Sequence, residues 1–240
     1  MTPSAAFALP FHFPGLPNVR CLFSTRAAGD LSLDGDFGRK GDAVRNRLEF
    51  MRRFGLSRIA ELRHVHGDGI VKAAETPPDA PAVGEADGLY TRETGLALVV
   101  KTADCQPILI ARRDGRAVAA LHVGWRGNAA SFPTTAVERL CERFSCPPTD
   151  LLAVRGPSLG PTASEFVNFA DEWPGDFAPW FDPASRSVDL WALTRNQLER
   201  AGLRRNRIFA LDCCTHSMRD DFFSHRRNDT GRHWNVIRMV

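Results

Sequence analysis

The chain reads as a single α+β domain with mixed β-sheets flanked by helices, and three observations predict it. Strand-like and helix-like stretches are interspersed without the regular strand–helix alternation that builds a doubly wound parallel sheet. Two apolar runs, 107–112 and 117–123, flank the turn signal Asp114-Gly115, the mark of an antiparallel hairpin. The 240 residues, 43% hydrophobic and without an internal repeat, suffice for one sizeable core.

Taken in order, residues 1–18 are rich in proline and are expected to be irregular, with the folded domain spanning 19–240. Residues 19–25 (VRCLFST) read as a first strand and end in a small-residue loop carrying Arg26. Residues 30–41 hold glycines and aspartates at turn-like spacing. Asp42 is placed to cap a helix to Phe54, whose Val44, Leu48, Met51 and Phe54 share a face before Gly55 stops it. A short strand is expected over 69–74, a turn at 87–91, and an apolar strand over 96–102. The hairpin follows. Gly124 to Asn128 reads as a loop, and Pro133 suits the first turn of a helix bearing Val137, Leu140, Cys141 and Phe144. Residues 151–155 form another strand leading into the stiff loop 156–161. The aromatic, proline-containing stretch 170–186 reads as packed and irregular. Asp189 caps a helix that Gly202 closes, and strands are expected over 207–211 and 235–239.

Composition excludes several classes. A net charge of +3, carried mostly by arginine with no dense basic run, argues against a nucleic-acid partner. No apolar run is long enough to span a membrane. The N-terminus lacks the basic and apolar regions of a secretory signal. Six sparse cysteines, two of them adjacent, suit a reducing compartment rather than a disulfide framework. These points predict a cytoplasmic protein.

The chemistry concentrates in 102–127, TADCQPILIARRDGRAVAALHVGWRG. The hairpin would bring Cys105 and His122, 17 residues apart, to the same end of a sheet. His66, in His64-Val65-His66-Gly67-Asp68, is a third donor. Taken singly, Cys105 reads as a small buried hydrophobe and His122 as a satisfied core histidine. Two imidazoles and a thiolate together make three metal ligands. They leave one tetrahedral position open, as catalytic rather than structural zinc requires.

Segments 66–68 (HGD), 85–88 (EADG), 102–107 (TADCQP), 122–127 (HVGWRG), 156–158 (GPS) and 223–227 (FSHRR) through Gly231-Arg232 occur in the order of the YfiH-type family, which this chain resembles over about 19–238. Family members have been described as laccase-domain or polyphenol oxidase-like proteins and as peptidoglycan editing factors. They have also been described as zinc-dependent purine nucleoside phosphorylases with adenosine deaminase activity. The resemblance implies that His66, Cys105 and His122 are metal ligands. It also matches Arg26 to the family's threonine-threonine-arginine motif, with Ser24 in place of the first threonine. The chain departs from the family at His64 (usually glutamine), around Asp34 to Gly38, at Thr162 and Ala163 (usually cysteines), and at His225 (usually tyrosine).

The expected activity is therefore that of a zinc enzyme acting on a purine nucleoside and phosphate. Cys105, His122 and His64 would be catalytic, and Arg26, Asp104 and Arg126 would bind substrate. Such a metal suits activation of water toward C6 of adenosine, with Asp104 a candidate acid/base. Phosphorolysis needs cations around phosphate, Arg26 and Arg126, and a proton donor for the leaving base, which His64 could supply. Three other readings use the same residues. They are a metal-free cysteine hydrolase with Cys105 as nucleophile and His122 as base, a copper-binding oxidase, and a structural zinc domain closed by Cys213, Cys214 or His216.

Overall fold

A computed structural model describes residues 6–33, 40–82 and 84–240. The chain first forms β1 (Ala8–Phe11), β2 (Val19–Ser24), α1 (Lys40–Phe54), β3 (Arg58–Glu61), β4 (Ile70–Lys72), β5 (Gly88–Thr91) and β6 (Leu96–Thr102). The middle holds β7 (Gln106–Arg112), β8 (Val118–Val123), α2 (Trp125–Ala129), α3 (Phe132–Phe144) and β9 (Leu151–Arg155). It ends with α4 (Phe169–Glu172), β10 (Phe181–Asp182), β11 (Ser187–Val188), α5 (Leu190–Arg200), β12 (Ile208–Ala210) and β13 (His233–Met239).

Two mixed sheets face one another. One has the order β1-β2-β13-β6-β3, the other β12-β9-β7-β8-β5-β4. Side chains alternate across a strand, so each central strand feeds two apolar layers. Phe23, Leu98 and Val100 of the first sheet meet Leu109, Val118 and Ala120 of the second between the sheets. The opposite faces are covered by helices. Phe50 and Met51 of α1 pack on Ala97, Val99 and Val236. Val137 and Leu140 of α3 and Leu198 of α5 pack on Ile108, Ile110 and Ala119. The expected α+β domain is thus a helix–sheet–sheet–helix stack. No helix of the described residues is long and apolar enough to cross a membrane.

Several elements depart from the sequence reading, each for a packing reason. Residues 8–11 are not irregular but pair antiparallel with β2, from Ala8 opposite Ser24 to Phe11 opposite Cys21. Pro10 is tolerated there because β1 is an edge strand. Gly88–Thr91, read as a turn, is a strand held between β4 and β8. A Cβ on Gly88 would sit 3.0 Å from Ile70 and Leu121, so glycine serves close approach. β3, which the pattern does not signal, is a four-residue edge strand parallel to β6. Residues 125–129 form a short helix where a loop is expected. The stretch 170–186 contains the end of α4, a 3₁₀ turn and part of the β10–β11 hairpin around Trp173, Phe177 and Phe181.

Asp42 lies inside the first turn of α1, where its charge complements the helix dipole, rather than at a cap. The departure around Asp34 to Gly38 lies outside the described residues. Elsewhere the caps hold: the Asp189 carboxylate accepts from the Ala192 amide at 2.9 Å, and Gly202 ends α5 at φ +98°.

Candidate metal centre

The hairpin register assembles the centre. Pro107 is opposite His122 in the β7–β8 pair, so Cys105 lies just beyond the strand end beside His122. His66 comes from the loop between β3 and β4. The donor atoms of His66, Cys105 and His122 all lie within 4.8 Å of one another. Cys105 Sγ is 3.9 Å from His66 Nε2, and the two imidazole rings meet edge to face. Gly124 lets the backbone pass close: a Cβ there would come 3.0 Å from His66 Cδ2 and 3.1 Å from Cys105 Sγ.

Asp87, fully buried, organises two of the three donors. Its carboxylate accepts amide hydrogens from Val65 (3.3 Å), His66 (3.0 Å) and Gly67 (2.7 Å). These bonds hold His66 at φ +58°, a left-handed conformation that costs of order 1–3 kcal/mol outside glycine. His122 Nδ1 lies 2.8 Å from Asp87 Oδ1, so the Nδ1 hydrogen is donated there and Nε2 is left for the centre, its lone pair freed when a metal displaces the second ring proton. Burial works against the Asp87 charge. The His122 hydrogen bond and the amides outweigh it and hold the carboxyl below its ordinary range.

Burial also resists ionising the Cys105 thiol. The nearby His122 charge, with hydrogen bonds from His122 and His66, outweighs it and brings the thiol down to about 6. For His122 burial again opposes charge, but the Cys105 thiolate and Asp87 carry it up to about 9. The thiolate is the form that binds metal. His64 stacks on His122, with centroids 4.2 Å apart and planes within 6°. Burial, then the charges of His122, Lys101 and His66, push His64 well below 6.5, so it is neutral. Its Nε2 has no hydrogen-bond partner.

The donor set fits a metal: one thiolate and two oriented imidazoles, with no fourth His, Cys, Asp or Glu joining them among the described residues. Zinc takes this set with one open position, and copper is the alternative that N and S ligands allow. Cys213, Cys214 and His216 do not close it. Cys214 Sγ instead accepts from the Gly160 amide at 3.2 Å. In chelator-stripped protein, Cys105 should react with iodoacetamide with a half-point near pH 6, the thiolate form prevailing above it. Zinc should protect it. A half-point near that of an ordinary thiol would show that the ion pair with His122 is absent.

Two cavities meet at the centre and share His66, Ala103, Cys105 and His225. One, of about 480 Å³, is basic in its lining, with Arg63, Lys101 and Arg232 beside His64 and His122. Arg63 is paired with Glu85, Lys101 with the buried Glu61, and the Arg232 guanidinium with backbone carbonyls of 229–231. The other, of about 330 Å³, is walled by Trp125, Phe166 and Leu190 with Arg126 and Arg226. Of the expected substrate residues, Arg126 reaches a cavity, its guanidinium 4.3 Å from the Trp125 ring centroid. Arg26 lines neither of them. It is bound to Asp229 at 2.7 Å and to the Phe222 and Arg219 carbonyls. Asp104 lines the aromatic cavity, but both its oxygens are engaged, by Thr215 (2.7 Å) and by Ser224 and the Arg226 amide (3.0 and 2.7 Å).

Residues 23–240 match the family described as multi-copper polyphenol oxidoreductase laccase. A curated relative, the purine nucleoside phosphorylase YfiH of Escherichia coli K12, is 32% identical over 95% of this chain and 97% of its own. The chain belongs to the YfiH-type family. Another member, a purine nucleoside phosphorylase of Xylella fastidiosa Temecula1, is 35% identical over 82% of this chain and 80% of its own. Among solved structures, YlmD from Geobacillus stearothermophilus superposes with a TM-score of 0.85 at 26% identity, covering 98% of this chain and 97% of that one. The Neisseria meningitidis protein NMB0706 superposes at 0.82 with 29% identity, covering 98% and 99%.

Three residues of this YfiH-type site have no role in the sequence reading, although Arg232 lies in the quoted Gly231-Arg232 segment. Asp87 stands inside the quoted 85–88 motif, but nothing in the spacing says that its carboxylate meets His122. Lys101 sits at the end of an apolar strand, and Arg232 just before the last one. Only the topology turns both toward the basic cavity.

Proposed function

We propose that this chain is a zinc-dependent purine nucleoside phosphorylase. The observation that carries the reading is the junction itself: a His–Cys–His donor set where an aromatic cavity and a basic cavity meet. The names carried by family members support it. In this reading the purine stacks against Trp125 and Phe166, and the ribose lies at the junction. Phosphate occupies the basic side near Lys101 and Arg232. Attack on C1′ then comes from a different cavity than the one into which the base departs. Arg126, beside Trp125, faces the base and stabilises negative charge developing on it. His66, Cys105 and His122 would hold a zinc, which would supply Lewis acidity beside the substrate; copper is the alternative occupant.

The environment of His64 favours a different use from proton donor to the base. It is neutral and stacked on His122 with its Nε2 buried, so it braces the His122 ring rather than carrying a proton to the base. Arg26 acts at a distance, by bracing the 219–229 loop.

Inosine should release hypoxanthine only when phosphate is supplied, with ribose 1-phosphate as co-product. Base release that ignores phosphate would sink the reading and point to hydrolysis. Adenosine without phosphate tests deamination separately. Inosine formed there would show that the site deaminates as well.

A further inference from the structure

We infer that His225 is the acid that protonates the departing purine, and that Asp104 is the residue that positions it. The inference rests on the phosphorylase reading above. His225 is the one residue common to both cavities that is neither a metal donor nor an alanine. It therefore stands where base and sugar separate. It occupies the first position of a 3₁₀ turn, His225–Arg227, whose two flanks are tied to the strand end that carries Cys105. Ser224 Oγ and the Arg226 amide both donate to Asp104 Oδ2, at 3.0 and 2.7 Å, so one carboxylate oxygen brackets His225 from both sides. Thr215 holds the other oxygen at 2.7 Å. Asp104 itself sits at φ +90°, a strained conformation for an aspartate that these three bonds sustain. Strain next to a reactive centre, stabilised by bonds that aim a neighbouring histidine into a cavity junction, is the geometry of a positioned proton carrier.

A phosphate oxygen of HPO₄²⁻ forms a bond to C1′ while the C1′–N9 bond breaks and its electron pair passes to the purine. The proton on the His225 imidazolium moves to N7 of the base, which leaves neutral. The ribose 1-phosphate monoester releases its remaining proton, and His225 recovers one from solvent.

A leaving base that needs no proton separates this role from a structural one. Inosine methylated at N7 already carries a positive charge on its base, which departs neutral unaided. In the zinc-loaded protein, His225→Phe should slow phosphorolysis of inosine about a hundredfold or more and leave N7-methylinosine nearly unchanged. Zinc content should stay that of the unsubstituted protein. Equal loss on both substrates would overturn the inference while leaving the phosphorylase reading intact. Unsubstituted protein that turns over neither substrate would overturn both.

Discussion

Cys105→Ala should lose its metal and, with it, about a thousandfold or more of nucleoside turnover. Removing the thiolate leaves two neutral imidazoles, a set too small to hold zinc firmly in a site that takes three protein ligands. Metal Lewis acidity is worth several kcal/mol in the transition state, and each 1.36 kcal/mol is a factor of ten. The fold should survive, because Cys105 lies just before β7 begins, half-buried, and outside the β7–β8 register. Metal content by mass spectrometry, on protein purified without chelator, belongs beside turnover of inosine with phosphate for both proteins. Zinc near one equivalent and turnover in the original, both gone in the variant, is the expected result. Metal retained by the variant would mean that the donors are not these three. An original protein without metal, whose Cys105 alkylates readily, would favour the cysteine nucleophile with His122 as its base.

What the sequence makes legible follows the range of the interactions involved. The β7–β8 hairpin is local: its turn signal and two apolar runs suffice to place Cys105 beside His122, and the register with Pro107 opposite His122 bears this out. The helices over 40–54, 132–144 and 190–200 are local too, since periodicity and end signals lie within them. The misreadings are non-local. Gly88–Thr91 becomes a strand because β4 and β8 pair with it from both sides, which no stretch of five residues announces. The edge strand β1 gains its order from β2, whose partner residues lie ten to sixteen positions on. The site shows the same division. Its three donors are readable as residue types in an order matching the family. What each polar neighbour does depends on contacts across the sequence. Arg26 is spent on Asp229, 203 residues away, and Asp104 on Thr215, Ser224 and Arg226. Asp87, which spacing alone passes over, is the group on which both histidine ligands depend.

That dependence makes Asp87 the position where one substitution should cost stability and another metal affinity. Asp87→Ala would leave three half-buried backbone amides and the buried Nδ1 hydrogen of His122 without their acceptor. Breaking a buried charged network by removing one partner costs about 3–5 kcal/mol, a large share of the 5–15 kcal/mol typical of a domain. Asp87→Asn keeps the shape and one carbonyl oxygen. If that oxygen takes the place of Oδ2 and serves the Gly67 and Val65 amides, the amide nitrogen replaces Oδ1, faces His122 and the His66 amide, and donates to Nδ1. The ring proton must then sit on Nε2, and the lone pair meant for the metal is gone. Loss of such an oriented partner weakens metal binding about 10–100-fold.

The sign of the pH effect follows from the same bonds. The Asp87 carboxyl titrates below its unfolded value, so its contribution to stability is present above that value and is lost as acid protonates it in the folded state. Thermal unfolding should therefore show a stability difference between Asp87→Asn and the original protein that shrinks toward low pH. Zinc titration against a competing chelator at neutral pH reads the second effect. A folded Asn variant that binds zinc as tightly as the original would show that His122 reaches the metal without Asp87 to set its tautomer.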